Sequence, residues 1–172
     1  PDAALADLRE ASAIFAQVGD AASNAMCEHN AGYLALLQGD LVRALDGMER
    51  AARVLRNDTS VAAAIGEIDR AEVLRDAGLT SEAEQMLARA ARTFGAHGMR
   101  QARGEAEFNL ARSLLLHDPA RAVGVARAAA RRFAGLGSEI WGTRATGVAL
   151  RGVLGGGGTS VRVSEVEALA SR

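Results

Sequence analysis

No lysine occurs in this 172-residue chain; all 20 basic side chains are arginine. Together with abundant alanine and glycine, that bias is associated with GC-rich bacterial genomes. A single cysteine, Cys27, excludes an intrachain disulfide and fits a reducing compartment. Aromatic residues make up only 3%. Such a composition suits close helix–helix packing better than an enzyme pocket walled by aromatic rings. No run of about 18 apolar residues is present, and no basic-then-apolar signal segment opens the chain. The expectation is a cytoplasmic protein with no membrane partner. The chain starts at Pro1 instead of methionine, which leads us to expect a piece of a longer polypeptide.

The net charge of −1 conceals an asymmetry. Residues 1–86 hold 15 Asp and Glu against 7 Arg, a balance of −8, whereas residues 87–172 hold 6 against 13, a balance of +7. Opposite ends of this kind bear on association and solubility, and not on the fold.

What the sequence does contain is a pattern written four times. Counting from Ala83, apolar residues fall at Leu87, Ala90 and Phe94. The same offsets give Ala4, Leu8, Ala11 and Phe15, then Ala44, Met48, Ala51 and Leu55, then Ala122, Ala126, Ala129 and Phe133. Offsets of four, seven and eleven lie on one stripe of an α-helix, so each copy is an amphipathic helix. The copies recur at about 40 residues, the mark of stacked helical repeats.

Between these helices a second series repeats: Glu28-His29-Asn30-Ala31-Gly32, Glu67-Ile68-Asp69-Arg70-Ala71 and Glu107-Phe108-Asn109-Leu110-Ala111. Each copy carries Gly or Ala where a neighbouring helix must come close. Gly19-Asp20 and Gly39-Asp40 are stop-and-restart signals, a glycine to end one helix and an aspartate to cap the next. Ser81-x-x-Glu84 reads as a capping box, and Asp118-Pro119 as a cap followed by proline in the first turn. The spacing predicts helices over 3–17, 21–38, 41–56, 60–77, 81–95, 99–117, 119–134 and 138–154. Gly155–Gly158 is expected to be a loop, and 161–171 a ninth, amphipathic helix. Residues 1–154 would form the repeat array, 155–158 the linker and 159–172 part of a truncated repeat. No segment alternates as a strand does, so the fold class is all-α: an α-solenoid of antiparallel helix pairs.

The stretch Asn30-Ala31-Gly32-x-x-Ala35-x-x-x-Gly39-Asp40-x-x-x-Ala44-x-x-x-Met48-x-x-Ala51 resembles the tetratricopeptide repeat. That family has a small residue in helix A, a Gly-Asp turn, then Ala, a large residue and Ala along helix B. Ala71…Gly78…Ala83…Leu87…Ala90 and Ala111…Asp118…Ala122…Ala126…Ala129 are further matches, the last with a turn one residue shorter. The likeness covers roughly residues 3–154, in a repeat longer than the family's usual length. The arrangement also resembles repeat regions of large actinobacterial proteins that carry a caspase-like peptidase or a nucleotide-switch domain. It implies a right-handed solenoid whose concave groove is lined by the A helices.

Carried over position by position, that groove would be lined by Met26, His29, Tyr33 and Leu36 in the first repeat. Ile65, Ile68, Glu72 and Arg75 follow in the second, and Glu105, Phe108, Arg112 and Leu115 in the third. The alternative is that several of these side chains are buried against the next repeat. Some family members hold a peptide's terminal carboxylate in a basic and asparagine clamp. The matching positions here are His29, Tyr33, Asp69, Glu105 and Asn109, and only Asn109 suits that chemistry. The mixed lining is better suited to an amphipathic helix or extended segment.

Other candidate chemistry is thin. Cys27 and His29 are two apart on a helix and do not face one another as ligands, and no base is linked by spacing to Cys27. His97 and His117 fall in expected turns. Glu28, Glu67 and Glu107 form a ladder that either holds a basic ligand or pairs with arginines such as Arg70 and Arg103. Asn30, Asp69 and Asn109 form a parallel polar ladder. Arg89, Arg92, Arg121, Arg127, Arg131 and Arg132 make the second half basic, without the stacking aromatics or module that nucleic-acid binding wants. Their alternatives are a solvated face or contact with an acidic surface, including another copy. The four glycines from Gly155 lack the Lys-Ser/Thr of a phosphate loop, and Trp141 is expected to pack in the terminal unit. No cofactor, metal or catalytic set is expected. The reading is a non-catalytic protein-interaction scaffold or regulatory arm, binding a protein, a peptide or another domain of its own polypeptide, with salt-sensitive self-association as a further expectation. Its alternative is a ligand- or peptide-sensing module that controls a linked DNA-binding, ATPase or peptidase domain.

Overall fold

The structure is a computed structural model that describes residues 2–55 and 61–155. Among the described residues eight α-helices follow one another: α1 (Asp2–Gln17), α2 (Ala21–Leu37), α3 (Leu41–Val54), α4 (Val61–Asp76), α5 (Thr80–Ala96), α6 (Arg100–Leu114), α7 (Pro119–Ala134) and α8 (Glu139–Gly155). The fold is all-α, built of sequential antiparallel helix pairs. The expected ninth helix at 161–171 and the loop glycines beyond Gly155 lie outside the described residues; Gly155 itself closes α8. The chain divides into two compact units, one holding α1–α4 and the other α5–α8.

Five of the turns share one mechanism. Gly19, Gly39, Gly78, Gly98 and Gly137 all have φ between 67 and 83°. This left-handed conformation is costly for residues with a Cβ. At each turn the following amide reaches back five residues, as Asp40 N–H does to Ala35 C=O (2.9 Å) and Ser138 N–H to Phe133 C=O (3.0 Å). The glycine amide bonds three residues back, as Gly39 does to Leu36 C=O (2.9 Å), which satisfies the carbonyls a helix end leaves over. That same following residue then opens the next helix. Asp20 and Asp40 accept from the amides of Ser23 and Arg43, each at 3.0 Å. The shorter turn has no glycine; Asp118 takes the cap position and accepts from Arg121 N–H at 3.0 Å.

One helix start and one helix end differ from the sequence reading. α5 begins at Thr80, so Ser81 lies inside the first turn and is not the cap of a Ser81–Glu84 box. The Gly78 turn leaves the cap position to Leu79, because the turn geometry fixes where the new helix starts. α6 ends at Leu114, three residues short of the expected end, as the chain turns early toward Asp118.

The alanine stripes are the buried seams. Ala44, Met48, Ala83, Ala90, Phe94, Ala122, Ala126, Ala129 and Phe133 are all fully buried. In the first unit Ala35, Ala44, Met48 and Val73 form a core. A Cβ on Gly32 would lie 3.0 Å from Ala44 O and 3.1 Å from Met48 Cγ, so α2 and α3 meet backbone to side chain at that glycine. In the second unit Phe108, Ala126, Phe133, Ala145 and Ala149 pack together, with Trp141 against them.

Candidate functional site

The A-helix face of the first unit belongs to α2 and α4. Its organising contact is His29, which is buried and donates Nε2–H to Asp69 Oδ2 at 3.0 Å. One turn further along α2, Tyr33 is half-buried. Its phenol is pushed above the ordinary value of 10.0 by burial first, then by the nearby Glu72 and Asp69 carboxylates. Arg75 reaches Glu72 (3.3 Å) and Asp76 (3.1 Å), so the charges of this face are largely paired among themselves. Leu36 packs on the core from the rim. Ile68 is half-buried and Ile65 is 46% exposed, so the face offers aliphatic surface beside acidic groups. Met26 and His29 also line a cavity of about 450 Å³ walled by α2, α3 and α4, where Gly66 leaves the space beside His29 open.

In the second unit, Phe108 is buried, edge-on to Trp141 with ring centroids 5.5 Å apart, and so belongs to the core. Trp141 also stacks on Phe133 at 5.7 Å, as a packing residue of the terminal helix. Arg112 lies over the Phe108 ring at 5.7 Å and donates to Asn109 Oδ1 at 3.4 Å. Glu105 accepts from Gln101 at 2.8 Å. Leu115 lies just past the end of α6, half-buried. Of the twelve groove positions, His29 and Phe108 are thus taken up by packing. Tyr33, Ile65, Ile68, Glu72 and Arg112 retain accessible surface.

Two rungs of the acidic ladder are engaged by arginines of the following B helix. Glu28 accepts from Arg50 Nε at 3.0 Å, and Arg50 also pairs with Asp46. Glu107, nearly buried, accepts from Arg103 Nε at 2.8 Å and from Arg132 at 3.0 Å through two separate hydrogen bonds. Sequence reasoning named Arg103 but missed Arg50 and Arg132, because B-helix partners do not follow from A-helix spacing. His29 and Asp69 lie 40 residues apart, on neighbouring A helices, and the repeat alignment pairs His29 with Ile68 instead. Arg121, Arg127 and Arg131 are exposed, whereas Arg132 is held by Glu107. His97, just past the end of α5, bonds the Thr93 carbonyl of that helix, His117 meets Glu84 at 3.2 Å, and Cys27 is buried. No group of three or more His, Cys, Asp or Glu able to hold a metal ion is found among the described residues. Nor is any described helix long and apolar enough to cross a membrane.

These features define a class: a tetratricopeptide-like helical repeat fold, stacked through small residues and stapled by ion pairs. Among solved structures the chain is similar to a putative kinesin light chain from Podosopora anserina with nearly identical tetratricopeptide-like repeats. The TM-score is 0.80 at 16% identity, over 97% of this chain and 84% of that one. It is also similar to a signal-transduction ATPase with numerous domains, bearing a tetratricopeptide repeat sensor, from Pyrococcus horikoshii. There the TM-score is 0.82 at 13% identity, over 97% of this chain but only 26% of that chain. No protein-family model matches the sequence, and no curated protein matches it significantly.

Proposed function

We propose that the chain is a non-catalytic protein-interaction module that receives a peptide or amphipathic helix on its A-helix faces. The observation that carries this reading is the accessible mixed surface of α2 and α4: Ile65 and Ile68 beside Tyr33 and Glu72. Aliphatic anchors bordered by acids suit a segment with one apolar face and basic flanks. A helix library displayed against the protein and mapped by amide shifts tests it. Selected binders should perturb Tyr33, Ile65 and Ile68, and lose affinity at least tenfold with Ile68→Glu. Binders that map elsewhere, or ignore that substitution, overturn the reading.

A second reading is a sensor that controls a linked effector domain, as a regulatory arm of a larger bacterial protein. Its support is the fold likeness to an ATPase whose repeats serve as a sensor. A small molecule or peptide that raises the melting temperature in proportion to its concentration favours this reading.

A further inference from the structure

The cavity of about 450 Å³ between α2, α3 and α4 occupies a place that the second unit fills with hydrocarbon. In the register that aligns Glu28 with Glu107 and Ala44 with Ala122, the core residues Phe108, Phe133, Ala145 and Ala149 correspond to His29, Leu55, Gly66 and Arg70. All four of the latter line the cavity. Their counterparts in the second unit are buried against one another, whereas Leu55, Gly66 and Arg70 are only half-covered. The exchange takes a ring away at Leu55 and a methyl at Gly66, and it sets a guanidinium where Ala149 packs.

Charges of both signs surround the space. Glu49 and Arg53, one turn apart on α3, are exposed, while Glu67 and Arg70 on α4 are half-covered. Glu67 and Arg70 hold interactions of their own, so a ligand joins that set instead of filling a vacancy. Met26 and Leu55 supply the apolar part of the wall. His29 adds a buried acceptor. Its Nε2–H is committed to Asp69 at 3.0 Å, which in the neutral ring leaves the lone pair on Nδ1. A Cβ on Gly66 would lie 3.5 Å from His29 Cε1 and 3.7 Å from Nδ1, so this edge of the ring faces the part of the wall that glycine thins. Two carboxylates and two guanidiniums balance. An ion of one sign would leave the opposite groups desolvated and unanswered, which is costly. A zwitterion answers both.

We propose that this cavity binds a small zwitterion with an aliphatic chain, the chemistry that a free aliphatic amino acid or a short aliphatic peptide presents. The carboxylate meets Arg53 and Arg70. The ammonium donates to His29 Nδ1 and is answered by Glu49 and Glu67. The chain lies on Met26 and Leu55. The volume falls within the range of about 300–1,000 Å³ usual for small-molecule sites. On α4 the site uses Gly66, Glu67 and Arg70, a different face from Ile65 and Ile68, so it is independent of the peptide-binding surface. It rests on the sensor reading for the purpose of the ligand, and not for its binding.

Isothermal titration calorimetry of the whole chain tests it, with L-leucine and L-leucyl-L-leucine as probes. Saturable binding of at least one is expected at millimolar concentration or below, and the tighter of the two tells a free amino acid from a peptide. N-acetyl-L-leucine lacks the ammonium and L-leucinamide the carboxylate. Each should bind about tenfold more weakly than leucine or worse, the cost of a lost charged hydrogen bond. Arg53→Gln, at an exposed position, should weaken leucine and leave leucinamide unchanged. Leu55→Phe restores the ring that Phe133 provides in the second unit. It should abolish binding while the melting temperature holds or rises, which separates blockage from unfolding. No saturable binding of either probe overturns the proposal. So does binding that both analogues match, or binding indifferent to both variants. Because binding is read without an effector domain, a ligand that binds here yet drives no linked activity overturns the sensor reading and leaves the site standing.

Discussion

His29 and Asp69, 40 residues apart in sequence, meet at 3.0 Å and tie α2 to α4. His29 is 5% exposed, so Asp69→Ala leaves a buried ring N–H without an acceptor. The expected loss is about 1–3 kcal/mol in urea unfolding, the usual cost of orphaning a buried polar group. Asp69→Asn keeps an acceptor oxygen and should recover part of it. Equal losses for both variants would show that the contact contributes through charge alone.

Tyr33 is the only tyrosine, so tyrosinate absorbance reports it without ambiguity. Its phenol titrates above 10.0 because burial, then Glu72 and Asp69, disfavour the anion. A folded value raised above the unfolded one means stability that is complete below the unfolded pKa and is lost as pH rises through the folded pKa. Glu72→Gln should bring the midpoint down toward the free value. An unmoved midpoint would leave the shift to burial and Asp69.

Asp20 is the mirror case at the acid end. Its carboxylate is held below 3.8 by the Ser23 hydroxyl, then by the Ser23 amide. The stabilisation is therefore present above the unfolded pKa and lost as pH falls through the folded one. Acid unfolding of Asp20→Ala and of the parent protein should converge at low pH and separate toward neutrality. Parallel curves would mean that the side chain caps nothing.

Glu107 and Glu28 occupy the same repeat position in different surroundings. Glu107 is nearly enclosed and accepts from two arginines, so Glu107→Ala should cost about 2 kcal/mol, the range for charged hydrogen bonds. Glu28 and Arg50 are both over a third exposed, so Glu28→Ala should cost less than about 1 kcal/mol. Denaturant midpoints of the two variants check the ordering, and a reversed order would place the ladder's structural weight on the wrong rung.

Ala90 is fully buried, and a Cβ on Gly32 would lie 3.0 Å from the Ala44 carbonyl oxygen, a contact that α3 must shift slightly to admit. Ala90→Leu and Gly32→Ala should each cost about 1–3 kcal/mol by overpacking. A melt with no loss would show that the helices can separate without penalty.

The sequence by itself determined the helices, their register and the turns. A stripe of Ala44, Met48 and Ala51 has one apolar face whatever lies beside it, and only glycine adopts the φ of Gly39 without strain. The single misplaced cap, Ser81, shows the limit: the glycine turn before α5, and not the local capping signal, set where that helix starts. Fates of individual side chains were decided by tertiary structure. Phe108 and Ile65 occupy the same kind of face in the spacing. Trp141 encloses the first, while the second is left exposed, and nothing in the A-helix period distinguishes them. The acids at Glu28 and Glu107 were legible as a ladder, but Arg50 and Arg132 reach them from helices whose facing depends on how each pair packs. Periodicity is carried by the backbone and survives in one dimension. Burial and pairing depend on which surfaces meet, and only the folded chain brings those surfaces together.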